Sequence, residues 1–342
     1  MMRTARLFAG RLKREPSVTG AEATAPVAMW PLSQKSLKWA AAQRMLKQRI
    51  AKSRLRLPRR DPEKVYGQLG TLEVRLAHSR REILRAQRLR YEVFYEEMSA
   101  VPGVVAGMRR LDQDAYDAVC DHLLVVDRAA PAKAAKPWSK SRRLNVVGTY
   151  RVLRQDKAPR GLGFYTQNEY DIAPLVAARS PRYRFMELGR SCVLKPYRNK
   201  RSVELLWHGL WTYVREHKVD VMIGCASFEG TDPKAHAMAL SFLYHHALAP
   251  PEWRCSAHAH LYQPMDLIPK DQIDVKAALK SMPPLIKGYL RLGAFIGDGA
   301  VIDRQFGTTD VLIILPVEKI DPRYFEHFGA PNEVKSRIAQ DA

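Results

Sequence analysis

Apolar and polar side chains alternate over Leu72-Glu73-Val74-Arg75-Leu76, the period of a half-buried strand, and a globular domain begins around this point. Glu82 to Met98 then predicts a helix, with Ile83, Gln87, Arg90 and Phe94 along one side. His122 to Val126 and Asn145 to Leu153 read as two apolar strands. The Ala/Pro/Lys-rich stretch from Arg128 to Arg143 between them has the composition of a long exposed loop. Met186 to Leu194 predicts another strand. Ser202 to His217 is an amphipathic helix with Val203, Leu206, Leu210 and Val214 on its core face, followed by a short apolar strand over Val221 to Phe228. Ala235 to His246 reads as helix and Val311 to Val317 as a late strand. An antiparallel start followed by a β-α-β middle implies an α+β fold, a mixed sheet flanked by helices. No internal repeat is visible.

Composition adds a boundary. The chain has 342 residues, 46% of them hydrophobic, enough to bury a core, which excludes a disordered chain or a disulfide-stapled miniature. Its net charge is +21, from 56 Lys+Arg against 35 Asp+Glu, which calls for an acidic partner: nucleic acid, an anionic membrane or an acidic protein. Thirteen of those excess charges fall within residues 1 to 60. The expected organisation is therefore a basic extension over 1–65, a globular domain over 66–330 and a tail over 331–342. Within the extension, Trp39, Ala42, Leu46, Ile50 and Leu57 recur at helical spacing among basic residues, so residues 32–57 suit an anionic membrane surface or form a solvated arm. Cys120, Cys192, Cys225 and Cys255 are far apart and form no C-x-x-C pair, and no secretory signal or span of about eighteen apolar residues occurs. A cytoplasmic protein, with peripheral attachment to the inner membrane, is expected. No helix-turn-helix, zinc or RNP-type pattern supports binding of nucleic acid.

Four segments set charged residues inside otherwise apolar patterns, where unpaired charge is expensive and charged groups are usually paired or functional. They are Arg90 to Glu97, Asp114 to Asp117, Gly148 to Arg151 and Glu187 to Ser191. Their order, R-Y-x-V-F, D-x-Y-D, G-x-x-R and E-x-x-R, resembles the acyl-homoserine-lactone synthases, acyltransferases of the GCN5-related N-acetyltransferase (GNAT) fold. A fuller likeness runs from Leu72 to about Gly329. The runs "LRYEVFYEEMSA", "CDHLLVVD", "VGTYRVLRQ", "FMELGRSCVLKPYR", "ELLWHGLW", "GCASFEG", "PPLIKGYLRLGAFIGDGAVID" and "TTDVLI" resemble the L-ornithine N-α-acyltransferases of bacterial ornithine-lipid synthesis. The resemblance implies transfer of a 3-hydroxyacyl chain from acyl carrier protein to the α-amino group of L-ornithine, giving lyso-ornithine lipid. It implies no tightly bound cofactor, since 4'-phosphopantetheine arrives on the carrier protein, and no metal. The first seventy residues lie outside it.

Attack of an amine on a thioester needs a base for the ammonium proton, donors for the oxyanion and anchors for the amino acid's own charges. Glu187 is the leading base, with Asp117 as the alternative; a structural ion pair between Glu187 and Arg190 or Arg151 is the competing reading. On a regular strand Glu187 and Arg190, three apart, face opposite ways. A β-bulge within one residue of Gly189 would bring both into the site and turn backbone N–H groups toward a thioester oxygen, so Gly189 and Ser191 join the catalytic set. Arg151 and Arg190 suit the ornithine carboxylate and Asp114 and Asp117 its side-chain ammonium, with a salt bridge and a helix N-terminal charge cluster as the alternatives; the family pattern adds Arg90 and Phe94 to the substrate-binding set. Pro196 to Ser202 precedes the strongest helix, and Lys195, Arg198, Lys200 and Arg201 suit a phosphopantetheine phosphate or an acidic carrier surface. Arg201 and Val203 stand where coenzyme-A-using relatives carry glycines, which argues against a tight pyrophosphate cradle.

Other patterns carry less. His122 and Asp127 match an H-x-x-x-x-D string, but on an extended strand they lie about 16 Å apart on opposite faces. Cys225 fills core rather than serving as a nucleophile, Cys120 shows no sign of thiolate activation, and Cys255, His258 and His260 lack a second ligand pair. His245 and His246 end a helix. Leu205, Leu206, Trp207, Leu210 and Trp211, with Phe242, Leu243 and Tyr244, line an acyl tunnel or form ordinary core.

Overall fold

The computed structural model of the chain describes residues 64–98, 100–129, 144–159 and 162–321. The expected helix at 32–57, most of the loop before Leu144 and the tail at 331–342 lie outside these residues.

Among the described residues nine strands form a single sheet: β1 (Val65–Leu69), β2 (Leu72–Leu76), β3 (Asp121–Asp127), β4 (Val146–Arg154), β5 (Phe185–Val193), β6 (Val221–Glu229), β7 (Tyr262–Gln263), β8 (Phe295–Asp303) and β9 (Thr308–Pro316), in the order β1-β2-β3-β4-β5-β6-β9-β8-β7. Every neighbouring pair is antiparallel except β5 and β6. Those two strands are joined by the helix α4 (Lys200–Glu216), the β-α-β unit that the apolar periodicity predicts. The helices before it are α1 (Arg80–Tyr91), α2 (Val104–Arg109) and α3 (Ala173–Arg179); after it come α5 (Ala237–Ala247), α6 (Val275–Ser281) and α7 (Pro284–Arg291).

The middle strands are apolar throughout because both faces of the sheet are covered. In β3, Leu123 and Val125 pack into the core under α4, α5 and α7, whereas Leu124 and Val126 face α1. In β9, Val311, Ile313 and Leu315 join the first of these cores, and Leu312 and Ile314 join another containing Tyr116, Phe164 and Trp253. Along α4, Leu206, Leu210 and Val214 are buried as their spacing predicts. Val203 is not: it is 45% exposed in the first turn, beside exposed Lys200 and Arg201.

Two local irregularities position the site. The helix predicted to Met98 is α-helical only to Tyr91 and widens into a π turn over Glu92–Glu97, a distortion frequent where side chains must be re-aimed. The β4–β5 register shifts between Thr149 opposite Cys192 and Arg151 opposite Gly189, so Tyr150 faces two residues, Arg190 and Ser191. This is a β-bulge adjacent to Gly189, and Arg190 takes a left-handed backbone with φ of 53°.

The parallel join of β5 to β6 spans only Phe185, Met186 and Glu187 against Val221, Met222 and Ile223. Beyond it the strands part. A side chain at Gly224 would meet the Leu188 carbonyl oxygen at 2.3 Å, so glycine is required where the strands diverge.

Candidate active site

The gap between β5 and β6 opens into a cavity of about 350 Å³. Val93, Phe94 and Met98 line it from one face of the sheet, and Leu285 and Tyr289 from the other. Glu187, Gly189, Arg190, Ser191 and Arg151 all reach it. The bulge thus brings Glu187 and Arg190 to a common space, which regular strand geometry forbids.

Glu187 is 6% exposed and accepts hydrogen bonds from the Tyr165 N–H (2.8 Å, Oε2), the Thr166 N–H (2.6 Å, Oε1) and the Thr166 hydroxyl (Oε1). Burial pushes its carboxyl above the ordinary value, against the pull of those donors and of Arg151. Oε1 is filled by two donors and Oε2 by one, so one acceptor direction remains on Oε2.

The three arginines differ in how tightly their carboxylate partners hold them. Arg90, fully buried, grips Asp117 with two bonds of 2.8 Å and Asp112 at 2.7 Å, and does not line the cavity. Arg151 donates Nη1 to both oxygens of Asp114 at 2.7 Å and to Asp117 at 3.2 Å. Arg190 is held more loosely, 3.3 Å from Asp112, 3.5 Å from Asp114 and 3.4 Å from the Tyr165 hydroxyl, with its guanidinium against the Tyr165 and Phe306 rings. It is the most loosely held of the three, with no polar contact shorter than 3.3 Å, and so the most readily turned to an incoming carboxylate.

Asp114 and Asp117 cap the short 3-10 turn Ala115–Ala118 reciprocally. Asp117 also accepts from Gln87 at 3.0 Å, and Arg90 and Arg151 hold its carboxyl far below the usual range. Neither aspartate lines the cavity; both stand behind it and fix the arginines. Phe94 lines it and packs edge-on to Phe306. In the basic loop, Arg198 reaches the cavity and pairs with Glu97 through contacts of 2.5 and 2.7 Å, while Lys195, Lys200 and Arg201 are exposed.

Other readings resolve as follows. None of the eight residues considered for an acyl tunnel lines the cavity: they pack in and around the core on the α4 side. Cys120 and Cys225 do line it, but burial pushes both thiols well up, so neither carries a thiolate. His122 is buried and contacts the Asp117 carbonyl oxygen, apart from Asp127, which accepts from Tyr197.

Besides Tyr165 and Thr166, which hold Glu187, three acidic cavity residues go unmarked in the sequence: Glu169, just after that turn, and Asp303 and Asp310 at the facing ends of β8 and β9. Asp310 had a legible signal, a carboxylate in the apolar run Thr308–Pro316, the criterion that picked out Glu187.

A mixed sheet parted between two parallel strands, with a buried carboxylate and an arginine facing the gap, defines an acyltransferase of the GNAT class. Residues 89–208 match the family described as acetyltransferase (GNAT) domain. The chain is 53% identical over 266 residues to the L-ornithine N(alpha)-acyltransferase of Brucella abortus, covering 78% of this chain and 92% of that protein. The Agrobacterium fabrum enzyme of the same name is 53% identical over 273 residues (80% and 90%), and that of Rhodobacter capsulatus 41% over 256 residues (75% and 94%). The chain belongs to the L-ornithine N(alpha)-acyltransferase family. Similar solved structures include FeeM, an N-acyl amino acid synthase from uncultured soil microbes (TM-score 0.40, 10% identical, covering 72% of this chain and 91% of that one). The AHL synthase LasI is another (TM-score 0.36, 13% identical, 71% and 89%).

Proposed function

We propose that this enzyme transfers a 3-hydroxyacyl chain from acyl carrier protein to the α-amino group of L-ornithine, the first step of ornithine-lipid formation. The observation carrying this reading is the convergence of Glu187, Arg151 and Arg190 on one cavity in a chain that is 53% identical over 266 residues to an enzyme of that name. The free direction on Glu187 Oε2 takes the proton of the attacking amine, directly or through a water, and its raised pKa strengthens it as a base. Arg190, with Arg151 behind it, holds the ornithine carboxylate. Asp114 and Asp117 are positioning residues for these arginines, and Arg90 anchors Asp117.

The parting of β5 and β6 supports an acyl donor on an extended arm. Leu188 to Ser191 and Gly224 to Ser227 present strand edges to each other across the gap, and the amides of a phosphopantetheine arm would add between them as a strand does. N–H groups at the Gly189–Ser191 bulge, where the ladder to β4 is interrupted, are the donors assigned to the oxyanion. The amine nitrogen attacks the thioester carbon, the tetrahedral oxyanion collapses, the C–S bond breaks, and the thiolate of the arm takes a proton. Ser191 and the Tyr150 hydroxyl, which contacts Tyr289 at 2.7 Å, are the cavity hydroxyls suited to supply it. Lys195, Lys200 and Arg201 beside Arg198 offer an acidic carrier protein a basic landing surface. Residues 32–57 are assigned to an anionic membrane surface. Among the described residues no helix is long and apolar enough to cross a membrane.

The test incubates the purified protein with 3-hydroxyacyl carrier protein and L-ornithine, lysine or glutamine, and identifies products by mass spectrometry. Nα-acyl-ornithine is expected. Its absence in the presence of an active carrier protein overturns this reading.

A further inference from the structure

We propose that Glu169, Asp303 and Asp310 form the receptor for the side-chain ammonium of the acceptor, and thereby restrict the enzyme to diamino acids. The inference rests on the reading that the cavity takes an amino acid acceptor.

The three carboxylates come from separate places in the chain, yet each offers an oxygen within 4.8 Å of the others. All three line the cavity that holds Glu187 and Arg190. Like charges brought this close repel, and burial makes the repulsion worse. Their surroundings relieve it only in part: Arg190 attracts Glu169 and Asp310 from a distance, but among the described residues no ion pair reaches any of the three. Asp303 Oδ1 accepts the N–H groups of Gln305 and Phe306 in the β8–β9 turn. Asp310 is only 6% exposed, and its Oδ1, like Glu169 Oε2, is buried without a hydrogen-bond partner. An acceptor oxygen left bare in such a place is costly unless a donor arrives with the ligand.

The donor is a cation with several N–H bonds. A primary ammonium carries three, matching three carboxylate oxygens. Arg190 faces the same cavity with the opposite charge, so the space is polarised for a molecule bearing a carboxylate and a distant ammonium. Burial first, and then repulsion among the carboxylates, raise Glu169 to about 8 and Asp310 to about 6, and a bound ammonium would offset the repulsion and draw both toward their charged forms. Glu169 follows directly on the turn whose N–H groups hold Glu187, so occupancy of the acidic receptor is tied through a few residues to the base.

The test compares L-ornithine with L-norvaline, which has the same carbon skeleton without the δ-amine, using the full-length protein and 3-hydroxyacyl carrier protein. For the wild type, kcat/KM for ornithine should exceed that for norvaline by about a hundredfold, the effect of an unpaired charged hydrogen-bonding site. In Asp310→Asn and in Glu169→Gln that ratio should fall about tenfold or more, mainly through the KM for ornithine. Calorimetric titration of ornithine, without acyl donor, should weaken in parallel. Thermal melts show whether each variant is folded, and the ornithine-to-norvaline ratio is unaffected by a reduced fraction of active enzyme. Equal use of both amino acids by the wild type overturns the inference while leaving N-acylation intact. A ratio unchanged in both folded variants overturns it too, as does activity abolished by EDTA and restored by magnesium or manganese, which would make the trio a metal site. Absence of acylation of any amino acid marks failure of the underlying reading instead.

Discussion

Arg90, Arg151 and Arg190 enter one electrostatic network from three elements, and what distinguishes them is how tightly their carboxylate partners hold them. The sequence marks all three as charges in apolar surroundings; only distances separate the tightly gripped Arg90 from the loosely held Arg190. Arg190→Lys, which keeps the charge but loses the planar fork, should raise the KM for ornithine about tenfold in steady-state assays. Glu187→Gln should lower kcat about a hundredfold or more with little change in that KM; a KM effect alone would make Glu187 a binding group. Asp117→Asn should act first on stability. It leaves the buried Arg90 poorly compensated, at a cost of about 3 kcal/mol, read as a lower denaturation midpoint. The carboxylates also set opposite pH dependences. Asp117, depressed on folding, contributes stability above the ordinary aspartate value, lost only as pH falls through its much lower folded value. Asp310 and Glu169, raised to about 6 and about 8, bind protons in the folded protein that the unfolded chain releases. Their contribution is therefore present below the ordinary carboxylate range and lost as pH rises through those values. The melting temperature of ligand-free protein should decline between roughly pH 5 and 8, and Glu169→Gln should flatten the upper part of that decline.

At the level of elements, regular pieces are legible and irregular ones are not. The continuous apolar runs of β3, β4, β6 and β9 are visible because a strand covered on both faces has no polar side. The strand β8 is obscured by Gly297 and Gly299, which interrupt its alternation and coincide with a register shift between Ile296 and Ala300. Gly67 hides β1 in the same way: a side chain there would meet the His208 ring at 2.4 Å, so close packing against α4 takes precedence over strand propensity. The bulge beside Gly189 is an exception, anticipated because two charged residues of opposite alternation had to share a site. No comparable demand announces the π turn at Glu92–Glu97. The basic loop before α4 is legible by charge, and its task separates from the acceptor site. Reversing Lys200 and Arg201 to Glu should raise the KM for acyl carrier protein about tenfold at low salt, a difference shrinking as salt rises, with the KM for ornithine unchanged.

For the whole molecule, the arrangement that makes room for chemistry is one parallel join in an otherwise antiparallel sheet. Its α-β order was legible; its length of three residue pairs was not, because it depends on how Gly224 meets the Leu188 carbonyl. Gly224→Ala should lower kcat/KM for the acyl donor by about tenfold or more while circular dichroism still reports a folded sheet. Removing residues 1 to 60 should weaken binding to anionic vesicles at low salt and leave turnover in solution unchanged. The short join has a mechanical consequence as well. Strands β1 to β5 and β6 to β9 are two leaves, each laced by antiparallel ladders; among the described residues the two are paired strand to strand over only these three residue pairs, with the Asp220 N–H donating to the Arg184 carbonyl just before them. Side chains of the covering helices bridge the seam, but they carry none of its backbone hydrogen bonds. Amides on the inner edges of Leu188–Ser191 and Gly224–Ser227 should therefore exchange with solvent deuterium sooner than those of the flanking ladders. A donor arm lying in the gap should slow them, since it supplies the rungs that the sheet omits.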